Sequence, residues 1–267
     1  MFRKNHCNKH IPYYILTQHY NDRDLQFKQI NRIKKGFLKS GNPVISVDTK
    51  KKEKIGLFKN AGRLWKKVAK KVFDHDFKTK STVTITPFGI YDLKYNRVYV
   101  YRNDSYETSE YIIDMIVKSW EKIGKFLYAG KKKLLILCDA VGANGYRRKG
   151  WKYELQEHFA SKFQIDITIC HYPPGTSKWD PIEHRLFSAI SINWAGVPLD
   201  SIDMMLNLIR NTTNGVIVTV DFVLKSWSNT FLATFFHNRP AFLKRPISLF
   251  SLYQPRLLDF QTLKTLF

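Results

Sequence analysis

The run of apolar residues from Leu134 to Cys138 constrains the fold of this chain more than any other feature of its sequence. Its letters, LLILC, contain no polar residue, and the run ends at Asp139 and the turn-rich AVGANG. A continuous apolar run of this length is typical of a central strand that is covered on both faces. The run therefore predicts an α/β domain in which helices cover a sheet.

The residues on either side of this run predict the remaining elements of such a domain. The segment PVISVD follows a Gly41-Asn42-Pro43 turn and is rich in β-formers, and Asp48 lies where that strand ends. Apolar residues recur at helical spacing from Thr108 to Leu127. The predicted order is β-β-β-α-β-α-β-α. Its elements are strands at 43–48, 82–90, 97–102, 134–138 and 165–170, and helices at 108–127, at 148–162 and from near Pro181.

The positive charge of the chain indicates a polyanionic partner. Lys and Arg number 44 against 22 Asp and Glu, which gives a formal net charge of +22. The segment from Lys28 to Lys80 has 17 of these bases and only four acids, so it carries more than half of the excess. A charge run is often only a solvated face, but this one surrounds an acid at a strand end. Nucleic acid is therefore the predicted partner, ahead of an anionic membrane.

The sequence also indicates a compartment. No stretch has the roughly 18 to 20 consecutive apolar residues of a membrane span, and the start of the chain lacks the pattern of a signal peptide. The three cysteines, Cys7, Cys138 and Cys170, form no CxxC pair. We expect a cytoplasmic protein with no structural zinc and no membrane partner.

Three acids at the ends of predicted strands and helices are the candidate catalytic residues of the chain. Asp48 and Asp139 end strands, and Glu183 opens a helix. A sheet edge can bring such positions together from distant parts of the sequence. Carboxylate oxygens are the ligands that Mg²⁺ prefers, and a pair of such ions about 3.5 to 4 Å apart supports phosphoryl transfer. The three acids therefore predict a Mg²⁺ site that acts on DNA phosphodiesters.

Each acid also has an ordinary structural interpretation. Asp48 and Asp139 are acceptable turn formers after a strand. Asp180-Pro181-Ile182-Glu183 is a capping pattern, with a good N-cap, a proline at the first helical position and a glutamate at the third. Taken singly, each acid fits its structural role at least as well as it fits a role as a metal ligand. Their combination with the strand order and the basic flank favours the metal site.

Several long stretches of the chain resemble the DDE transposases of bacterial insertion sequences. They are PVISVDTKKKEKIGLFKNAGR, HDF, PFGIYDL, LLILCDAVGANGYR and CHYPPGTSKWDPIEHRLFSAISINWAG. More narrowly, these motifs are similar to the group of Rhodopirellula-type transposases, and the resemblance runs from about residue 24 to about residue 220. It implies an α/β, RNase H-like fold, with a mixed five-stranded sheet flanked by helices. It also implies cleavage and strand transfer at the ends of an insertion sequence.

The resemblance assigns roles to particular residues. It makes Asp48, Asp139 and Glu183 the catalytic acids and the ligands of Mg²⁺, with Mn²⁺ as a substitute, and it implies DNA and a second copy of the chain as partners. The family usually has Asn where this chain has Asp180. The other residues that match the family's motifs, expected to contact DNA phosphates or to support the acids, are Lys50, Lys51, Lys52, Asn60, Arg63, His171, Lys178, His184 and Arg185.

The two ends of the chain depart from the family. Members carry a DNA-reading helix-turn-helix region before the catalytic domain, whereas fewer than 50 residues precede Asp48 here. From Phe222 to Phe267 there are ten aromatic residues and a single acid, Asp259, in no regular period. We expect a poorly specified segment at 1–27, the catalytic domain at 28–221 and an aberrant, loosely packed tail at 222–267. A truncated copy of this kind is either an active transposase, an inactive fragment, or a non-catalytic DNA-binding regulator of intact transposase.

Overall fold

The computed structural model describes residues 20–65, 67–68, 70–74, 81, 83–104, 106–212, 217–221 and 247–250. The strands are β1 (Val44–Thr49), β2 (Glu53–Ile55), β3 (Val83–Asp92), β4 (Arg97–Asn103), β5 (Lys133–Asp139), β6 (Asp166–Tyr172), β7 (Ile217–Asp221) and β8 (Ile247–Phe250). Helix α1 is Tyr20–Lys39 and α5 is Ile202–Arg210. Three helices contain a π-helical turn: α2 (Ser109–Ser119, Trp120–Gly124, Lys125–Leu127), α3 (Lys149–Leu155, Gln156–Ala160, Ser161–Phe163) and α4 (Glu183–Phe187, Ser188–Asn193).

The described strands form one mixed sheet. Its order is β7-β4-β3-β1-β5-β6-β8, with β2 paired to the start of β3. β1, β3 and β4 are antiparallel neighbours, while β5 and β6 run parallel to β1. Three antiparallel strands followed by two parallel ones, in the central order β4-β3-β1-β5-β6, are the RNase H-like arrangement. The predicted fold is therefore confirmed, and β7 and β8 extend the sheet at its two edges.

Apolar side chains cover both faces of this sheet. On one face, α2 and α3 pack on alternate residues of the central strands around fully buried Trp151 and Phe159. On the opposite face, Ile30 and Ile33 of α1 pack over β1, β5 and β6. α4 and α5 cover β3 and β4 on that same face. Because side chains alternate along a strand, every second residue of β1 and β5 points towards the layer of α1 and α4.

Helix α1 is one of the elements that the sequence interpretation missed, as are α5, β7 and β8. The boundary predicted at residue 28 falls inside it, because residues 20–27 already belong to the helix. Its apolar residues Phe27, Ile30, Ile33 and Phe37 keep a helical spacing, but six Lys and Arg between residues 23 and 39 dominate the composition. The short strand β2 was also missed, since three residues are too few to show an alternation.

Other predictions concern parts of the chain that the structure covers unevenly. The segment 1–19, including Cys7, lies outside the described residues, as does the predicted aberrant tail apart from β8. β8 pairs in parallel with β6 over Ile167 to Cys170. The loose packing predicted for the rest of this tail stays a prediction. Among the helices that are described, none has both the length and the apolar character needed to cross a membrane.

Candidate active site

Asp48 and Asp139 lie side by side at one end of the sheet. In the parallel pair of β1 and β5, Ser46 is opposite Leu137, so the next residue on the same face of each strand is Asp48 and Asp139. Both side chains point to the face that α1 and α4 cover. The carboxyl ends of these two strands therefore bring together two acids that are 91 positions apart in the sequence.

Glu183 reaches the same place from α4, which lies across that face. The helix starts after Asp180-Pro181, and the Asp180 carboxylate accepts a hydrogen bond from the backbone N–H of Ile182 at 3.1 Å. Gly89, opposite Asp48 in β3, allows the helix to approach closely. A β-carbon on Gly89 would meet the side chain of Ile182 at 2.8 Å and that of Leu186 at 3.0 Å. The first turn of α4 can therefore rest directly on the strand beside Asp48.

Asp180 is a fourth carboxyl group in this cluster. Its residue is fully buried, and its Oδ1 accepts a short hydrogen bond from the Ser46 hydroxyl. Ser46 and Asp48 share one face of β1, while Asp180 caps the helix that carries Glu183. The bond between Ser46 and Asp180 thus ties the strand of the first acid to the helix of the third.

Burial raises the pKa values of all four carboxyls, and neighbouring carboxylates raise three of them further. For Asp139 the cause is burial alone. Burial and the charge of Asp139 raise the pKa of Glu183, against which Lys50 acts. The pKa of Asp180 rises to about 7 and that of Asp48 to about 8, chiefly through burial and further through the neighbouring carboxylates. Ionisation of all four carboxyls together is therefore disfavoured.

The protonation of Asp48 accounts for its contact with Glu183. A hydrogen bond joins the two side chains and lowers the pKa of Glu183. Two carboxyl groups can form such a bond only when one of them carries the proton. Because the bond acts to lower the pKa of Glu183, Glu183 is the acceptor and Asp48 is the donor. The Asp48 carboxyl also accepts a hydrogen bond from the backbone N–H of Thr49 at 2.7 Å.

The donor atoms of this cluster fit a hard divalent cation. Asp139 Oδ1 and Asp180 Oδ2 are buried and have no hydrogen-bond partner among the described residues. A buried polar atom without a partner costs free energy, and carboxylate oxygens are the ligands of choice for Mg²⁺. Within the described part of the chain, however, no three His, Cys, Asp or Glu side chains are grouped closely enough to hold a metal ion. The four carboxyls therefore interact electrostatically, but no three of them lie close enough together in this structure to be the ligands of one ion.

Lys50 lies beside the acids as a buried cation. Its Nζ forms an ion pair with Glu53 at 2.8 Å and lies 4.9 Å from the centre of the Trp194 ring. Both ion-pair side chains are less than a tenth exposed. Lys50 was predicted to contact DNA or to support the acids. Its burial and its effect on the pKa of Glu183 favour support of the acids over contact with phosphate.

The other residues predicted to surround the acids divide into two groups. The exposed group comprises Lys51, Lys52, Arg63, Lys178, His184 and Arg185, and within it His184 Nε2 contacts the Lys178 carbonyl. The amide of Asn60 donates instead to the backbone carbonyls of Trp194 and Val197, both at 3.3 Å. Buried His171 lies on the opposite sheet face, where its Nε2 is 3.0 Å from the carbonyl of Asn144. It supports the loop that follows Asp139.

The sequence interpretation missed three contributors to the site. Asp180 was assigned only as a helix cap, and Ser46 and Gly89 were given no role. The spacing of Ser46 and Asp48 places them on one strand face, which is a readable signal. Nothing in the sequence shows that Ser46 meets Asp180 or that α4 crosses Gly89, since both contacts depend on how the helix lies on the sheet.

Sequence comparison places the chain in a known group. The family model described as the Rhodopirellula transposase DDE domain matches residues 15–229. This match covers most of the chain and includes all four clustered carboxyls. Among curated proteins, none is similar enough to count as a relative.

Solved structures with a related arrangement are distant in sequence. A Mos1 transposase paired-end complex with the left transposon end shares 10% identity, covering 69% of this chain and 51% of that one, with a TM-score of 0.47. The Mos1 strand transfer complex also shares 10% identity, covering 69% and 50%, with a TM-score of 0.48. An intasome of simian T-cell lymphotropic virus in complex with PP2A regulatory subunit B56 gamma shares 13% identity, covering 77% and 60%, with a TM-score of 0.32. The chain spans about half the length of the two Mos1 chains, and the fold assignment rests on its own strand order.

Proposed function

Because this chain belongs to the family of Rhodopirellula transposase DDE domains, we propose that it cleaves and joins DNA phosphodiesters at the ends of an insertion sequence. One observation carries the proposal. Asp48, Asp139 and Glu183 come from two strand ends and one helix start, yet they lie on one face at one end of the sheet. Separate structural roles for the three acids would not explain why all three lie on this face at this end of the sheet.

The proposed metal ligands are the carboxylates of Asp48, Asp139 and Glu183. When bound, Mg²⁺ or Mn²⁺ would activate the attacking oxygen and stabilise the leaving one in an in-line displacement. Asp48 would have to be ionised to hold the cation, because carboxyl ligands bind metal in their ionised form. The bond between Ser46 and Asp180 holds β1 against the first turn of α4, and so fixes Glu183 relative to Asp48.

The exposed bases near the acids are the proposed contacts to the DNA backbone. Lys51 and Lys52 follow β1 directly, and His184 and Arg185 follow Glu183. Each neutralised phosphate adds roughly 0.9 to the slope of log affinity on log salt, so a handful of contacts gives a slope of about −5. A nearly flat salt response would favour a small-molecule or protein partner. Two copies of the chain are the proposed unit that joins two ends.

The decisive experiment is a cleavage assay on plasmid DNA that carries the genomic sequence on both sides of this coding region. The full chain is expected to nick or join this DNA with Mg²⁺ and not with EDTA. A matched plasmid without those flanks tests dependence on the element's ends. Tight, salt-dependent binding without any metal-dependent cleavage would instead identify a non-catalytic DNA-binding protein. Equal cleavage of both plasmids would favour a general nuclease.

A further inference from the structure

A protruding loop between β2 and β3 has no role in the chemistry described above. Its base is closed by two hydrogen bonds, from Lys59 N to the Phe73 carbonyl at 2.8 Å and from Phe73 N to the Leu57 carbonyl at 2.7 Å. The rings of Phe58 and Phe73 pack at 6.2 Å across that base. We call residues 60–72 the basic loop, of which 60–65, 67–68 and 70–72 are described.

The basic loop presents apolar side chains to solvent. Trp65 is 95% exposed, Val68 is 79% exposed and Leu64 is 47% exposed. A tryptophan so far out of the core is unusual, because this residue normally buries most of its large surface. Exposed apolar groups that lie together mark an interaction site.

The stem of the loop is held firmly in place. Gly196 N donates to the Ala61 carbonyl at 2.7 Å, and the amide of Asn60 bonds to the segment 194–197. The backbones approach so closely that a β-carbon on Gly196 would lie 2.7 Å from the backbone of Arg63, and one on Gly62 would lie 2.7 Å from Ala195. Trp65 therefore projects from an anchored stem.

The charge of the loop indicates the chemical class of its binding partner. Five bases lie between residues 60 and 72, namely Arg63, Lys66, Lys67, Lys70 and Lys71, and no acid does. Lys70 forms an ion pair with Asp200 at 2.9 Å, which ties one side of the loop to the body. Lysine is depleted in the cores of protein interfaces, so the four lysines of the loop favour a polyanion over another protein as its partner. It fits a polyanion that also offers aromatic faces.

The loop leaves the sheet at the same end as the acids. Asp48 is opposite Gly89, and β2 ends at Ile55, which is opposite Val83 on the same strand. Val83 is six residues from Gly89 along β3, so the stem begins roughly 20 Å beyond the acids. The loop also contacts the segment that follows α4, the helix that carries Glu183. A nucleic acid at the acids would extend onto this loop.

We propose that the basic loop binds unpaired bases of DNA, with the Trp65 indole stacked on one base and the neighbouring cations on its flanking phosphates. This inference rests on the proposed DNA function and adds a preference for unpaired DNA beside the cleavage point. In a closed duplex the faces of the bases are stacked on each other and inaccessible to an indole. Stacking of a base on an aromatic side chain contributes about 1 to 3 kcal/mol and tolerates any base.

The test measures binding of the full chain, in metal-free buffer, to three DNAs of equal length: closed duplex, duplex with a short gap of unpaired bases, and single strand. A 2-aminopurine in the gap reports stacking by its fluorescence. Wild type is expected to prefer the gapped DNA and to quench the probe. Trp65→Ala should lose about tenfold in affinity for gapped DNA and the quenching, with duplex affinity nearly unchanged. Trp65→Phe should retain most of both.

Phe126→Ala is the matched control, since Phe126 is 69% exposed and lies beside Lys125, but at the opposite end of the sheet. It should behave as wild type. If wild type binds duplex without preferring gapped DNA, or if Trp65→Ala weakens all three DNAs equally, this inference is wrong while the proposed function stands. If wild type binds none of the three, the proposed function fails as well. If Trp65→Ala changes only self-association, the loop is a protein contact and the inference is overturned.

Discussion

Two aspartates of this sheet differ in a way that separates a structural acid from a functional one. Asp92 is the last residue of β3 and Asp139 is the last residue of β5, so the sequence presents both as strand-end acids before a turn. β3 is antiparallel to β1 and β5 is parallel to it, which places the two aspartates at opposite ends of the sheet.

Both carboxylate oxygens of Asp92 accept hydrogen bonds from neighbouring groups. The Tyr128 hydroxyl lies 2.7 Å from one carboxylate oxygen and 2.9 Å from the other. The backbone N–H groups of Lys94 and Tyr95 donate to Oδ1 at 3.0 Å and 3.2 Å. Burial raises the pKa of Asp92, and these bonds act against that rise. The carboxylate organises the β3–β4 turn and holds the end of α2 to the sheet.

Asp139 has the opposite environment. Its Oδ1 is buried without a partner among the described residues, and its charge raises the pKa values of Asp48, Asp180 and Glu183. A buried carboxyl oxygen without a partner lowers the free energy of unfolding. Groups of this kind cluster at functional sites. The comparison teaches that the partners of a strand-end acid, and not its position in the strand, identify its role.

Asp139→Asn should produce the largest change in activity. Removing one carboxylate from the proposed metal site forfeits several kcal/mol of charge stabilisation, which corresponds to a rate loss of about 10³-fold or more. The metal-free fold should be as stable as wild type or more so, because a buried charge without a partner is lost. DNA binding without metal should be unchanged or tighter. Cleavage rate, thermal unfolding and binding of the same protein preparation measure all three. Retained cleavage would remove Asp139 from the site.

Asp92→Asn is the same substitution at the other end of the sheet and should have the reverse profile. The bonds to Oδ1 survive but lose the charge of their acceptor, and the Tyr128 contact with Oδ2 is lost, so the free energy of unfolding should fall by about 1 to 3 kcal/mol. Mg²⁺ affinity should not change, since Asp92 is remote from the acids. Urea unfolding and Mg²⁺ titration calorimetry test both parts. A loss of Mg²⁺ affinity without loss of stability would invalidate the distinction between the two aspartates.

The sequence predicts the fold better than it predicts these partners. The apolar run 134–138 and the β-formers of 43–48 identify β5 and β1, because burial of a strand depends on its own residues. The three acids could be named from their places at element ends and from the family resemblance. The roles of Ser46, Gly89 and Asp180 could not, because they arise only when α4 is laid on the sheet. The same limit applied to Asn60 and Lys50, each of which has one partner more than 130 residues away at Trp194.

Raising the pH should weaken the metal-free protein and strengthen its response to Mg²⁺. The folded-state pKa values of Asp48 and Asp180, about 8 and about 7, lie above the value of about 3.9 for an unfolded chain. Their contribution to stability is therefore fully present below about pH 4 and is lost as the pH rises through 7 to 8. Mg²⁺ binds the ionised carboxyls, so the rise in Tm that it causes should grow over the same window. Asp92→Asn should show the same growth, whereas a Mg²⁺ effect independent of pH would contradict the cluster.

Asp180→Asn should have the smallest effect, and its direction distinguishes the two functions of that side chain. The amide oxygen can still accept from Ser46 and from Ile182 N, so the tie between β1 and α4 survives and stability should change by less than about 1 kcal/mol. The charge that raises the pKa of Asp48 is lost, so the pH at which Mg²⁺ begins to stabilise the protein should move down. Asp180→Ala removes the tie as well, and should weaken Mg²⁺ binding because Glu183 is no longer fixed beside Asp48. If the two variants bind Mg²⁺ alike at every pH, the hydrogen bonds of Asp180 have no positioning role, and the cap of α4 is only a cap.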